Sequence, residues 1–391
     1  MSEGTPRPLG CSLAYLTGLR LVLNTAFRLV YPFLPVIARG LGVPLSQAGY
    51  LVSARWIAGM ATPGVIATVG KGEARRRVIV TGTAMFIVGA LVTAATGVYL
   101  GALVGFVLMG LAKPTYDVAS QSYISDRVPY ATRARSLAVF ELAWAGSLLI
   151  GAPFAGWLIA RGDWTTPFWV LGGLAVVGLL LVARFIDPDR PHATGTTPKL
   201  RLGRTALTLL AAMGLFTMAA EVMFVVFGAW LEDSFGLSLA ALGGAALLVG
   251  LAELTGEGAT LTLTDRIGKR RSVLIGLVIS IGAFALLAFA ADSLGIGLAL
   301  LAIALMGFEF TIVSSFPLAS EIAPHGRTRY LSLTIVAMGL GRAIGAAAGP
   351  SLFSALGLTG PVVMAVAADL VAALLLIAWV RDPSGGTELP R

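Results

Sequence analysis

Cysteine, histidine and charge are all scarce in this chain, and each scarcity removes a class of function. Cys11 is the only cysteine, so no internal disulfide can form. His192 and His325 are the only histidines and both sit in polar stretches, so no His/Cys metal cluster is expected. Charged residues make up 12% of the 391 positions, against roughly 25% in a typical soluble domain. What charge there is gathers in short clusters between apolar runs. The net charge of +8 therefore has no basic domain with which to hold a duplex, and no nucleic-acid partner is expected.

Apolar residues fill the space: 57% of the chain is hydrophobic. A membrane-spanning helix needs about 20 of them in a row. Twelve such runs can be drawn, at 13–38, 47–69, 78–96, 98–124, 136–160, 165–186, 206–231, 240–263, 273–290, 294–320, 331–356 and 361–380. The first is far longer than the apolar core of a cleavable signal and has no clear small-residue cleavage site, so it is expected to remain as the first span. Between spans six and seven lies "RFIDPDRPHATGTTPKLRLGR" (184–204), rich in Pro, Thr and cations. It divides the chain into an N-terminal six-helix bundle (1–183), a linker (184–204) and a C-terminal six-helix bundle (205–391). The expected fold is an all-α membrane protein with twelve transmembrane helices in two pseudo-symmetric six-helix bundles.

The cations give an orientation. With the N-terminus inside, the inner segments hold twenty-one Lys and Arg, and the outer loops hold only Arg39 and Arg161. Both termini are expected in the cytoplasm. The halves also repeat. Shifted by 194 residues, Gly64 falls on Gly258, Thr68 on Thr262, and "RRR" (75–77) on "KRR" (269–271); "LMG" occurs in both span four and span ten. Order and topology together read as a duplicated six-helix unit.

Two glycine-rich stretches imitate nucleotide sites. "GLGRAIG" (339–345) has no strand before it and lies inside a span, where small residues serve close helix packing. "GVIATVGKG" (64–72) has the wrong spacing for a phosphate loop and ends on Gly72 where Ser or Thr is required. No enzyme activity and no cofactor are expected. An ion gradient is the natural energy source.

Six plus six spans, a basic central loop, and basic loops after spans two and eight resemble the major facilitator superfamily. "TDRIGKRRS" (264–272) is similar to the family's D-R-x-G-R/K-R/K loop, although Leu261 stands where the family usually has Gly. The first-half copy "TVGKGEARRR" keeps the cations and lacks the Asp. "GSLLIGAPFAG" (146–156) looks like the Gly-x4-Gly-x-Pro-x2-Gly pattern of the family's antiporters. The resemblance implies alternating access and, through Gly146, Gly151, Pro153 and Gly156, proton-coupled antiport. It also implies an inner latch at Asp265, Arg266, Gly268 and Lys269. The duller role of those cations is to anchor the inner face. Span twelve, with Asp369, packs outside the cavity in this family.

The chemistry must then rest on ionisable residues at membrane depth. Each costs about 2.5–3.5 kcal/mol at a helix centre on the insertion scale, so each is expected to face a cavity or a partner. The first half has Arg28, Arg55, Lys113 and Asp117; the second has Glu221, Glu253, Glu257, Glu309 and Arg342. Arg20 and Glu141 fall nearer the inner face. The first set is mostly positive and the second mostly negative, which suits substrate binding by Arg28, Tyr31, Arg55, Lys113 and Asp117, and proton coupling by the second set. The alternative is that these charges only pair to hold helices together, with Arg342 held by Glu309 or a span-eight glutamate.

Glu253 and Glu257 share one helix face at i, i+4. Out of water their like charges repel, and a proton relieves the repulsion. Lys113 and Asp117 also stand at i, i+4, in the less favourable order for a helix pair, and Pro114 between them removes the helix partner of the Gly110 carbonyl. This reads as a switchable pair in which substrate or Arg28 competes for Asp117, with the freed Gly110 oxygen aimed into a cavity. The other prolines within spans, at 32, 35, 63, 153, 317 and 350, are expected to interrupt them. Trp164, Trp169, Trp230 and Trp379 read as interfacial anchors, while Trp56, Trp144, Tyr31 and Tyr116 lie deeper.

The expected partners are a small-molecule substrate, protons and the lipid bilayer. The location is a bacterial-type inner (plasma) membrane and the state monomeric. Export of a small organic compound by proton antiport is preferred. Proton-coupled uptake of an anionic or zwitterionic metabolite, a lipid or lysolipid flippase, and a non-transporting sensor stay open.

Overall fold

The computed structural model describes residues 9–69, 75–186, 202–290, 292–322 and 327–380. Most of the linker (187–201), Lys71, Gly72, His325 and the arginines at 7, 381 and 391 lie outside them. Among the described residues all regular structure is helical. The helices of the first half are α1 (Leu9–Arg28), α2 (Val30–Gly40), α3 (Leu45–Gly59), α4 (Thr62–Val69), α5 (Arg75–Thr96), α6 (Tyr99–Arg127), α7 (Tyr130–Gly146), α8 (Ala152–Arg161) and α9 (Thr166–Phe185). Those of the second are α10 (Arg204–Phe235), α11 (Leu239–Ile267), α12 (Lys269–Ala290), α13 (Leu294–Ile322), α14 (Arg327–Leu356) and α15 (Thr359–Trp379). They form two compact units: Met1–Thr194 with Leu239–Leu247, and Gly195–Ser238 with Leu248–Arg391.

Among the described residues ten helices are long and apolar enough to cross a membrane, and α1 with α2 make an eleventh span bent by 54°. The bend follows from sequence. Pro32 has no N–H, so the Arg28 carbonyl loses its helix partner and the helix breaks at Leu29. Span two is broken in the same way. α3 ends at Gly59, four residues before Pro63, and α4 resumes at Thr62. Span five instead widens into a π-helical turn, Ser147–Gly151, just before Pro153. Helices α2, α6, α13 and α14 run unbroken through Pro35, Pro114, Pro317 and Pro350, contrary to the expectation of interruption. Neighbouring helices can re-satisfy the freed groups there. The Gly110 oxygen lies against Gly59 of α3, where an added Cβ would come within 3.2 Å of it, so it meets a helix rather than a cavity.

The two units repeat their contacts at the predicted shift. In the first, Arg75 pairs with Asp126 at 2.8 Å, and Arg76 donates to the Ala183 carbonyl at the end of α9. In the second, Lys269 pairs with Glu321, and Arg270 donates to the Leu376 and Ile377 carbonyls at the end of α15. Gly82 on α5 meets the Ala112 carbonyl, and Gly276 on α12 meets that of Gly307. Each cation neutralises a carboxylate or caps orphan carbonyls at a helix end.

"GLGRAIGAAAGP" serves packing. Gly341, Gly345 and Gly349 form one stripe on α14 and face the Gly214, Met218 and Val222 carbonyls of α10. Gly341→Val should therefore force α10 and α14 apart and cost about 1–3 kcal/mol, lowering the melting temperature in detergent. Gly258→Ala, which has open space around it, should leave that temperature unchanged or higher. Equal melting temperatures for both variants would contradict this packing.

Candidate functional site

In the first unit α1, α6 and α7 bring one polar network together. Asp117 on α6 is shared by two cations. Its Oδ1 accepts from Arg20 Nε at 3.0 Å and its Oδ2 from Lys113 Nζ at 2.6 Å. Arg20 also donates to the Phe140 carbonyl and pairs with Glu141 on α7, both at 2.8 Å. Glu141 in turn accepts from Gln121 at 2.8 Å. Lys113, Asp117 and Gln121 stand four residues apart and so share the face of α6 that meets α1 and α7.

Aromatic faces support the cations. Arg28 lies over the Trp144 ring at 4.3 Å, and Lys113 lies over the same ring at 4.9 Å. Arg55 on α3 lies over Phe27 at 3.5 Å, donates to the Phe27 carbonyl and reaches the Tyr31 hydroxyl at 3.3 Å. Phe27 meets Trp56 edge-on at 5.1 Å. Such cation–π contacts contribute about 0.5–2 kcal/mol each. Arg28 and Arg55 are buried, whereas Lys113, Trp56 and Trp144 keep partial exposure, so the cluster has an open side. Gly110 lets α3 close on α6, because an added Cβ would strike the Arg55 carbonyl.

All five residues read from sequence as substrate-binding meet in this cluster. One assignment changes. The competitor for Asp117 is Arg20, not Arg28, which rests on Trp144 instead. Arg20, Glu141 and Trp144 thus join the five, although the sequence places Arg20 and Glu141 nearer the inner face. A signal existed: Arg20 precedes Arg28 by eight residues, about two turns, on one face of α1.

In the second unit Glu221 on α10 is 0% exposed and accepts from Arg342 on α14 at 2.7 Å. The glycine stripe brings these helices close enough for the pair. The sequence alone points instead to Glu309 or a span-eight glutamate as the partner of Arg342. Arg342 also lies 5.4 Å from the Phe308 ring centroid. On α11, Gly256 sits against the Met306 carbonyl and the Glu309 Cβ of α13, and Glu253 and Glu257 flank Gly256 in the sequence. Glu253 is 2% exposed and Glu257 half-buried. Toward the basic end the Thr264 and Ser314 hydroxyls join the same two helices at 2.9 Å. Asp369 is buried on α15, and its Oδ1 has no hydrogen-bond partner among the described residues.

The latch residues lie at the turn from α11 to α12. Asp265 and Arg266 are exposed. Gly268 has φ +97°, a conformation that favours glycine, and Lys269 pairs with Glu321. In span five the motif glycines touch α1: Gly146 meets Leu21 and Gly151 meets Thr25. Also within the first unit, Gly156 faces the Leu239 carbonyl and Gly243 faces Pro153. Two of the four supposed interfacial tryptophans are core residues. Trp164 packs on Gly40 and Phe168, and Trp230, 1% exposed, packs on Gly297 and Phe235. Trp169 and Trp379 remain exposed.

Comparison with known proteins agrees with this architecture. The family model described as Major Facilitator Superfamily matches residues 16–256 and 205–391. The inner membrane transport protein YdhP of Escherichia coli O157:H7 is 25% identical over 361 residues, 90% of this chain and 91% of that protein. The tetracycline resistance protein, class G, of Vibrio anguillarum is 26% identical over 284 residues, 67% of this chain and 70% of that protein. Among solved structures, a D-xylose–proton symporter superposes with a TM-score of 0.76 at 17% identity, over 97% of this chain and 99% of that one. The last is a likeness of fold alone.

Proposed function

The chain belongs to the Major Facilitator Superfamily of multi-pass membrane transporters, and from that premise we propose that it is a proton-coupled antiporter exporting a small organic compound with an anionic group. It works by alternating access, as a monomer in a bacterial-type inner membrane with both termini in the cytoplasm. The observation that carries the reading is the shared carboxylate: Asp117 is held by both Arg20 and Lys113. Arg20 keeps Glu141 as a second partner, so Asp117 can stay with Arg20 when Lys113 turns to a ligand. An anionic group on the substrate then replaces Asp117 at Lys113. The rings of Trp144 and Trp56 offer the apolar part of that substrate a face.

Protons belong to the second unit in this reading. Glu253, Glu257 and Glu309 are its carriers, and a proton on the i, i+4 pair Glu253 and Glu257 relieves the repulsion of like charges. Asp265 and its neighbours act as the inner latch, and the span-five motif supports antiport. The relative named for tetracycline resistance agrees with export. Proton-coupled uptake of an anion would use the same cations and differ in the sign of coupling.

Counterflow tests carrier activity without regard to direction. The probe is radiolabelled 4-phenylbutane-1-sulfonate, an aromatic anion that stays ionised at any working pH. Proteoliposomes preloaded with unlabelled probe should transiently accumulate label well above protein-free vesicles. Label no higher than in protein-free vesicles would contradict an anion carrier.

A further inference from the structure

Asn24 is a buried amide with no hydrogen-bond partner among the described residues. It lies on α1 midway between Arg20 and Arg28, four residues from each, so the three share a face. Its side chain is 0% exposed, and neither Oδ1 nor Nδ2 has a hydrogen-bond partner. Burying an amide without a hydrogen-bond partner is destabilising, and native structures rarely keep such a group without a use for it.

Its position points to the use. Contacts between α1 and α6 run from Leu16 with Tyr116, through Arg20 with Asp117, to Phe27 with Lys113. The helices are antiparallel, and Asn24 falls at the level of Lys113. The same segment of α1 rests on the span-five π turn, Leu21 against Gly146 and Thr25 against Gly151. Turns of this kind concentrate at functional sites. One helical turn beyond Asn24 comes the 54° break at Leu29. Both irregular features, the break and the π turn, thus lie beside this part of α1.

We propose that Asn24 is a specificity-determining contact for the substrate, made when α1 parts from span five. The inference rests on the reading of Lys113 as the anion site. A carboxamide presents a donor and an acceptor side by side. It therefore selects a ligand with the complementary pair: a small aromatic anion with an amide between the ring and the charge. Lys113 takes the anion, Trp144 and Trp56 meet the ring, and Asn24 takes the amide.

The test compares two probes that differ in one group. N-benzoyltaurine carries an amide where 4-phenylbutane-1-sulfonate carries two methylenes. Binding of each to the full-length protein in detergent is measured by calorimetry, and thermal unfolding is followed in parallel. The wild type should bind N-benzoyltaurine tighter by about tenfold or more. Asn24→Leu, close in shape and apolar, should bind the two alike and melt at a higher temperature than the wild type. Equal binding of both by the wild type, or a preference that survives in Asn24→Leu, would overturn the inference and leave the anion site standing. A lower melting temperature in Asn24→Leu would make the amide structural and overturn it too. Binding of neither probe would remove the anion site, and this inference with it.

Discussion

Asp117→Ala should fail to accumulate as folded protein, while Lys113→Ala should fold normally and transport nothing. The asymmetry follows from who shares whom. Asp117 is the anion between two cations, and removing it strands Lys113 and strips Arg20 of one of its two carboxylates. Breaking a buried pair in this way costs on the order of 3–5 kcal/mol. Lys113→Ala strands nothing, because Asp117 keeps Arg20 at 3.0 Å. The double variant should fold better than Asp117→Ala, since Arg20 still has Glu141, yet it should bind neither sulfonate probe. Expression, melting temperature and probe binding of the three variants decide the matter. Full probe transport by the double variant would show that the pair only neutralises charge, and the first-unit site would be lost with it.

Glu253→Gln and Glu257→Gln should both fold, and at least one should uncouple transport from protons. An amide cannot release a proton to the lumen, but it preserves size and much of the hydrogen bonding. The expected variant keeps full counterflow and loses the effect of an imposed pH gradient. Normal gradient response in both variants would move the proton carrier elsewhere, with Glu221 and Glu309 next.

The gross design was open to reading because it obeys two strong constraints. A span must be apolar for about 20 residues, and inner loops attract cations. The twelve runs and the 194-residue repeat follow from these, and the pairs at Arg75 and Lys269 give that repeat a physical basis. The details that depend on a third body were hidden. Arg20 seemed close to the inner face because the first apolar run starts at Leu13. The described helix already includes Leu9, eleven residues before Arg20, and Arg20 is level with Asp117. Trp164 and Trp230 have the composition of anchors, but Gly40 and Gly297 provide sockets that hydropathy cannot reveal. Pro32 and Pro114 look alike in sequence. One bends a span and the other does not. Asn24 carried no signal, since its significance lies in the partner it lacks.

The central claim is antiport of an organic anion against protons, and one measurement addresses it directly. Proteoliposomes loaded with 4-phenylbutane-1-sulfonate and a trapped pH-sensitive dye are diluted into probe-free buffer of the same pH, with the membrane potential clamped by potassium and valinomycin. The sulfonate carries no proton itself, so any change in lumenal pH is made by the protein. Probe efflux through an antiporter draws protons inward, whichever way the protein is inserted. The lumen should acidify as the probe leaves, and should not do so in protein-free vesicles. An unchanged lumenal pH during efflux would contradict proton coupling, and alkalinisation would contradict antiport.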